Sequence, residues 1–182
     1  MKHKSKILLT VGTLVILLSG CASNVKRTSG FSAPAYTLSE SRKVSEVTIS
    51  MTRKAKEKSA KNLKFDPEVL RKHVKRALNS HSVLDPEMTE TLPYVEIQVT
   101  NMRIRSNFSA IVFGFMAGAD SISGDIIVKS RDGKELDRFE VSASYALGGF
   151  GGGQDDARMG WLYETFAKQT ANELLKIKSG KK

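Results

Sequence analysis

Residues 122–143 have the sequence ISGDIIVKSRDGKELDRFEVSA. The runs at residues 122–129 and 135–143 are strand-like, and they lie on either side of Asp132-Gly133. Asp-Gly is a strong hairpin signal, because glycine tolerates the positive φ that such turns need. We therefore predict two antiparallel strands joined by a tight turn.

Two segments before this hairpin alternate apolar and polar residues, as strands with one buried face do. The apolar positions are Val47, Ile49 and Met51 in the first segment and Val95, Ile97 and Val99 in the second. A highly charged stretch at residues 53–64 ends the first pattern. Each segment is predicted to be a strand of the same sheet.

Two amphipathic helices complete the set of elements. Asp66-Pro67 supplies an N-cap and a proline at the first helical position, before a helix that ends at about Ser80. Asp155 or Asp156 can cap a second helix after the glycine-rich residues 148–153. The apolar face of the first helix contains Leu70, Val74, Ala77 and Leu78. One face of the second helix is formed by Leu162, Phe166, Gln169, Thr170 and Leu174. The order predicts an α+β fold, a mainly antiparallel sheet of about four strands with two helices packed on one face.

The N-terminus has the pattern of an export signal. Lys2, Lys4 and Lys6 precede an apolar run at residues 7–18, which is shorter than the roughly 20 residues that a membrane-spanning helix needs. The run ends in Leu18-Ser19-Gly20-Cys21, which resembles the lipobox of bacterial lipoproteins at all four positions. Cys21 is the only cysteine, so an intrachain disulfide and a cysteine-cluster zinc site are excluded. The alternatives are an ordinary secretory peptide and a buried thiol.

The lipobox resemblance implies a covalent modification of Cys21. In lipoproteins of this kind the thiol takes a diacylglycerol, the peptidase cuts between Gly20 and Cys21, and the new amine is acylated. Ala22 follows in place of the aspartate that retains enteric lipoproteins on the inner membrane, which favours the outer membrane, facing the periplasm. The partners implied are the membrane and the lipoprotein processing and sorting machinery. No other cofactor is expected.

These signals divide the chain into four parts. Residues 1–20 are the predicted signal peptide, and residues 21–43, which are serine-rich and lack apolar periodicity, are predicted to be the lipidated cysteine and a flexible tether. Residues 44–178 form a single α+β domain, and residues 179–182 a disordered tail. Basic residues outnumber acidic ones, 29 to 19 over the whole chain. That balance suits an anionic membrane, an acidic polymer or nucleic acid, and the export signal disfavours nucleic acid.

One combination of motifs resembles a known family, the domain of unknown function 4410 family, whose members are often predicted lipoproteins. The motifs are Gly114-Phe115-Met116-Ala117-Gly118-Ala119, the strand Ile126-Ile127-Val128, Asp132-Gly133-Lys134-Glu135-Leu136, a glycine-rich link and a terminal helix. The resemblance covers roughly residues 44–175. Relatives often carry an arginine before the glycine-alanine element, where Phe108 and Ile111 stand here, and Arg105 is the nearest substitute. These motifs describe a fold and imply no catalytic residue.

No catalytic or metal site is predicted. The glycine-rich residues 148–153 are followed by Gln154-Asp155-Asp156, whose carboxylates would repel a phosphate group. The sequence contains neither the Gly-x-Ser-x-Gly motif of serine hydrolases nor the His-Glu-x-x-His motif of zinc proteases. His73 and His81 lack a second ligand at the spacing that metal binding needs, so both are interpreted as structural.

The leading hypothesis is a non-catalytic periplasmic lipoprotein that binds or supports an envelope protein or polymer such as peptidoglycan. The possible partner-binding surface is a basic face of the first helix, formed by Arg71, Lys72, Lys75 and Arg76. One alternative is an envelope enzyme with an unrecognised carboxylate site. Another is self-assembly through the apolar residues 108–119.

Overall fold

The computed structural model describes residues 21–27, 43–62, 64–88, 90–106, 118–146 and 155–176. The strands are β1 (Cys21–Arg27), β2 (Val47–Met51), β3 (Tyr94–Arg103), β4 (Asp120–Lys129) and β5 (Glu135–Tyr145). The helices are α1 (Arg53–Ala60), α2 (Pro67–Ser80) and α3 (Asp155–Lys176). The leader, residues 108–117 of the apolar segment, the glycine-rich residues 148–153 and the predicted tail lie outside the described residues.

The strands form one sheet in the order β1-β5-β4-β3-β2. β2 and β3 run parallel, and the other neighbours run antiparallel, so the predicted α+β fold with a mainly antiparallel sheet is confirmed. The predicted hairpin is β4–β5, with Gly133 at φ +86° in its turn. The described residues contain five strands and three helices, which is one strand and one helix more than predicted.

The additional helix, α1, forms from the charged stretch that ends the β2 pattern. The Thr52 hydroxyl caps it by accepting a hydrogen bond from the backbone N–H of Ala55 at 3.3 Å. Ala55 is the one buried residue of this helix, so the sequence contains no apolar periodicity there. Lysine, glutamate and alanine are nevertheless good helix formers, and the capped helix is docked by Ala55 and by a hydrogen bond from Lys58 to the Asn101 side chain.

The additional strand, β1, corrects the predicted tether. Residues 21–27 pair antiparallel with β5 from Cys21–Tyr145 to Arg27–Phe139, so the prediction of a flexible tether is wrong for these residues. Val25 is the strand's one large apolar residue, and it packs at the edge of the core. A single such residue produces no alternating pattern, which is why the strand was missed. Residues 28–42 of the predicted tether lie outside the described part of the chain.

The predicted helices are confirmed. The Asp66 carboxylate accepts hydrogen bonds from the N–H groups of Glu68 and Val69 at 2.8 and 3.2 Å, which caps α2 as expected. The core lies between the sheet and helices α2 and α3, and its largest fully buried side chains include Leu70, Leu78, Ile97, Ile126, Phe139, Phe166 and Leu174. Within the described residues, none of the helices has the length and apolar character needed to cross a membrane.

Candidate functional site

Four chain positions meet at one end of the sheet. Cys21 pairs with Tyr145, Tyr145 pairs with Asp120, and Arg103 pairs with Ser121. The start of β1, the end of β3, the start of β4 and the end of β5 therefore lie side by side. We call this end of the strands the Cys21 end of the sheet. It is marked by Cys21, Arg103, Asp120 and Tyr145.

Arg27 holds β1 in the sheet at its opposite end. Its guanidinium donates to Asp137 at 3.0 Å and to Glu173 of α3 at 2.9 Å, and it lies 5.5 Å from the centroid of the Phe139 ring. Asp137 and Glu173 are both buried. Charge-assisted hydrogen bonds to buried carboxylates are among the strong polar interactions in proteins, so β1 is fastened to both the sheet and the last helix. The backbone of Cys21 is thereby fixed relative to the domain.

A buried charge cluster lies at the Cys21 end and consists of Arg105, Asp120 and Arg158. One carboxylate oxygen of Asp120 accepts from Arg105 Nη2 and from Arg158 Nη1, each at 3.0 Å. The other accepts from the backbone N–H of Arg105 at 2.7 Å. All three residues are at most 4% exposed, so these ion pairs are shielded from solvent screening. The cluster joins the segment after β3, the start of β4 and the first turn of α3.

Arg105 also positions the backbone around this cluster. Its Nη1 donates to the carbonyl of Gly118 at 2.7 Å, and its Nη2 donates to the carbonyl of Tyr145 at 3.2 Å. Gly118 has φ +82°, and a Cβ at this position would collide with the guanidinium of Arg103. The positive φ favours glycine at this position, whereas the exposed Arg103 side chain could move to make room for a Cβ. The cluster therefore has a structural role, because these hydrogen bonds of its two guanidinium groups go to acceptors of the protein itself.

The sequence analysis considered Arg105 only through the family resemblance and missed Asp120 and Arg158. A signal for both was present. Asp120 lies two residues before the buried Ile122 in β4, and Arg158 lies four residues before the buried Leu162 in α3. Both charges thus occupy core-facing positions. Because an unpaired buried charge is costly, opposite charges at such positions are expected to form an ion pair.

A cleft of about 430 Å³ opens between the start of α2 and the start of α3. Its floor includes Tyr163, whose hydroxyl accepts a hydrogen bond from the backbone N–H of Asp66 at 2.8 Å. Burial raises the pKa of Tyr163 to about 12. The rings of Tyr163 and His73 are 5.7 Å apart. Burial and the charge of Arg76 lower the pKa of His73, so at neutral pH the cleft contains a neutral imidazole beside a protonated phenol.

The carboxylates of this cleft do not form a buried pair. Asp66 is exposed and is used as the cap of α2, and Asp156 is exposed at the start of α3. A glycosidase-type site needs two facing carboxyl groups in different environments. Within the described ranges, no group of three or more histidine, cysteine, aspartate or glutamate side chains is placed to hold a metal ion.

The family model described as "Domain of unknown function (DUF4410)" matches residues 26–149, more than half of the chain. The chain belongs to the DUF4410 family. The matched part includes Arg105 and Asp120 of the buried cluster and ends before Arg158 and α3.

Solved structures show distant likeness to this DUF4410 chain. Two are PelC dodecamers from Paraburkholderia phytofirmans, with 12% and 10% sequence identity and a TM-score of 0.44 each. Each likeness covers 81% of this chain, and it covers 95% of the first PelC chain and 96% of the second. A minor lipoprotein from Acinetobacter baumannii has 10% identity and a TM-score of 0.37, over 72% of this chain and 88% of its own. No curated protein matches the chain.

The predicted basic face of this DUF4410 domain lies on the solvent side of α2. Lys72 and Arg76 are exposed, and Arg71 and Lys75 are half-buried. Arg71 pairs with Glu68 at 2.7 Å, and Arg76 is 3.1 Å from the Nδ1 atom of His73. Two of its four cations are thus engaged within the helix. Cys21 lies at the start of β1, and Gly20 of the predicted cleavage site is outside the described residues.

Proposed function

We propose that this DUF4410 chain is a lipid-anchored, non-catalytic protein of the cell envelope that binds or supports an envelope protein or polymer. The observation that carries the proposal is the position of Cys21. It is the only cysteine, it directly follows a cationic and apolar leader, and it begins the first strand of the domain. Diacylglycerol on its thiol and an acyl chain on its amine would provide the several chains that stable membrane attachment requires.

Attachment at Cys21 has a consequence for the position of the domain. Because residues 21–27 are part of the sheet, the lipids would be joined directly to the folded domain, with no linker between them. The domain would lie against the bilayer instead of standing off it. Ala22 after the cysteine supports the outer membrane, with the domain in the periplasm.

The non-catalytic part of the proposal is supported by the chemistry of the two polar sites. In the buried cluster, one Asp120 oxygen accepts from two guanidinium groups and the other accepts from a backbone N–H, so both oxygens are engaged by donors of the protein itself. In the cleft, the Tyr163 hydroxyl is held by the Asp66 backbone, and a pKa of about 12 keeps it protonated. A binding role relies instead on cations of α2 such as the exposed Lys72 and the half-buried Lys75, which suit acidic groups of an envelope partner.

The experiment that tests the anchor is metabolic labelling with radioactive palmitate in a bacterial host, combined with membrane fractionation. The wild-type chain should carry the label and sediment with the outer membrane, and Cys21→Ala should lose the label. Ser23→Ala, on the same strand, is the matched control and should keep it. Label that survives Cys21→Ala would refute the proposed anchor.

A further inference from the structure

Helix α1 presents an unusually cationic surface. Arg53, Lys54, Lys56 and Lys61, at the helix and its C-cap, are all exposed. The single acidic residue of the helix, Glu57, lies 3.8 Å from Arg53 and neutralises only one of them. The helix contributes only Ala55 to the core, so its conformation brings these charges together while burying little apolar surface.

This helix lies at the Cys21 end of the sheet. The ammonium group of Lys58 donates to the Asn101 side chain at 2.6 Å, and the Asn62 amide donates to the carbonyl of Ile104 at 3.0 Å. Both acceptors are at the end of β3, which is three strands away from β1 in the sheet. At the usual spacing of neighbouring strands, β3 and β1 are about 14 Å apart. α1 and the start of β1 therefore lie at the same end of the sheet.

We propose that the exposed cations of α1 contact the anionic lipid headgroups of the bilayer that holds Cys21. This inference rests on the proposed function, because lipids on Cys21 bring this end of the sheet against a membrane. Basic side chains within about 8–10 Å of an anionic surface are attracted to it at physiological salt. The lipids at Cys21 and the helix then form two separate contacts, which set the orientation of the domain on the bilayer.

The other basic helix is less suitably placed. α2 begins next to Tyr163 near the Cys21 end, but its last residues lead to Val83, whose carbonyl bonds the N–H of Val44 just before β2. α2 therefore runs away from the Cys21 end, and Lys75 and Arg76 lie about two turns beyond its start. This leaves the α2 face available for the envelope partner of the proposed function.

The test uses unlipidated chains of residues 21–182 with Cys21→Ser, which contain every described residue, in co-sedimentation with phospholipid vesicles. One set of vesicles is pure phosphatidylcholine, and the other contains about one-third phosphatidylglycerol. The protein should bind the anionic vesicles and not the zwitterionic ones. The pair Lys54→Gln and Lys61→Gln should weaken this binding about fivefold for each lysine, about 25-fold together. Circular dichroism should show an unchanged fold, because both side chains are exposed and glutamine is a good helix former.

The matched control is the pair Lys134→Gln and Lys26→Gln. Both lysines are exposed, Lys134 in the β4–β5 turn at the opposite end of the sheet and Lys26 near the end of β1, five residues from Cys21. The change in net charge is the same. The control pair should bind within about twofold of the unsubstituted chain, because only charges near the surface contribute strongly. Equal weakening in both pairs, or no preference for the anionic vesicles, would overturn the proposal. So would binding to soluble polyglutamate, through Lys54 and Lys61, without binding to vesicles.

These results are separable from the anchor. Palmitate labelling at Cys21 with no vesicle binding by the unlipidated chain would refute the role of α1 and leave the anchor standing. Vesicle binding without labelling at Cys21 would refute the anchor and, with it, the orientation proposed here.

Discussion

Replacement of Arg27 by methionine should weaken the attachment of β1 and lower the stability of the domain. Methionine retains a long apolar stem but cannot reach Asp137 and Glu173 with a charge. Arg27 itself is 38% exposed at its side chain, whereas the side chains of the two carboxylates are 4% and 9% exposed. The substitution would therefore leave two nearly buried carboxylates without their shared cation, which is the costly way to disrupt an ion pair.

The magnitude follows from these contacts. A hydrogen bond to a charged group contributes about 1.5–3 kcal/mol, and the partial exposure of Arg27 favours the lower end for each carboxylate. We expect the free energy of unfolding to fall by about 3 kcal/mol for the two together. For a domain of roughly this size, that corresponds to a melting temperature about 6–12 °C lower.

The assay is urea unfolding at neutral pH, followed by circular dichroism, on the unlipidated chain of residues 21–182. Lys26→Met is the control, since Lys26 is the exposed neighbour on the same strand, and it should change the free energy by less than about 0.5 kcal/mol. Combining Arg27→Met with Asp137→Asn should cost less than the sum of the single changes, because the two residues form one pair. A loss below 0.5 kcal/mol for Arg27→Met, or an equal loss for Lys26→Met, would refute the role assigned to Arg27.

Two further predictions concern ionisable groups elsewhere in the domain. Tyr163→Phe removes the hydroxyl that accepts from the Asp66 N–H, so stability should fall by about 1 kcal/mol, and absorbance titration at 295 nm should lose a tyrosine with a midpoint near pH 12; an unchanged titration curve would contradict the burial argument. The hydrogen bond from Arg138 lowers the pKa of Glu135 from 4.5, so this carboxylate stabilises the fold above pH 4.5 and the contribution disappears as the pH falls through the lowered value. Glu135→Gln should therefore reduce the urea midpoint at pH 7 and reduce it progressively less as the pH is lowered below 4.5, and a reduction that does not change with pH would contradict the pair.

The parts of the fold that were predictable from sequence are those with local signals. Asp132-Gly133 specifies the β4–β5 turn through glycine's tolerance of positive φ, and the observed φ of +86° at Gly133 is that conformation. Asp66-Pro67 specifies the start of α2 because the cap needs only the next three residues. Both signals act within a few residues, so tertiary context did not have to be known.

The elements that were missed depend on the rest of the molecule. Among the side chains of β1 that the structure describes, Val25 packs against the core and Arg27 bonds carboxylates that are 110 and 146 residues away in the chain. α1 is held through Ala55 and the polar contacts of Lys58 and Asn62 with β3. Neither produces a periodic pattern, because periodicity appears only when several residues of one element are buried.

The same distinction separates what the sequence and the structure contribute to function. The lipobox resemblance at Cys21 supports a location at the membrane, but it does not determine the orientation of the domain. With Cys21 in β1, the orientation depends on which other groups share its end of the sheet, and those groups come from residues 53–61 and 101–105. A flexible linker would have made this proximity irrelevant, because the domain could turn freely. The seven residues of β1 therefore matter more to the proposed membrane contact than any single cation does, and the stability of Arg27→Met measures the strength of that connection.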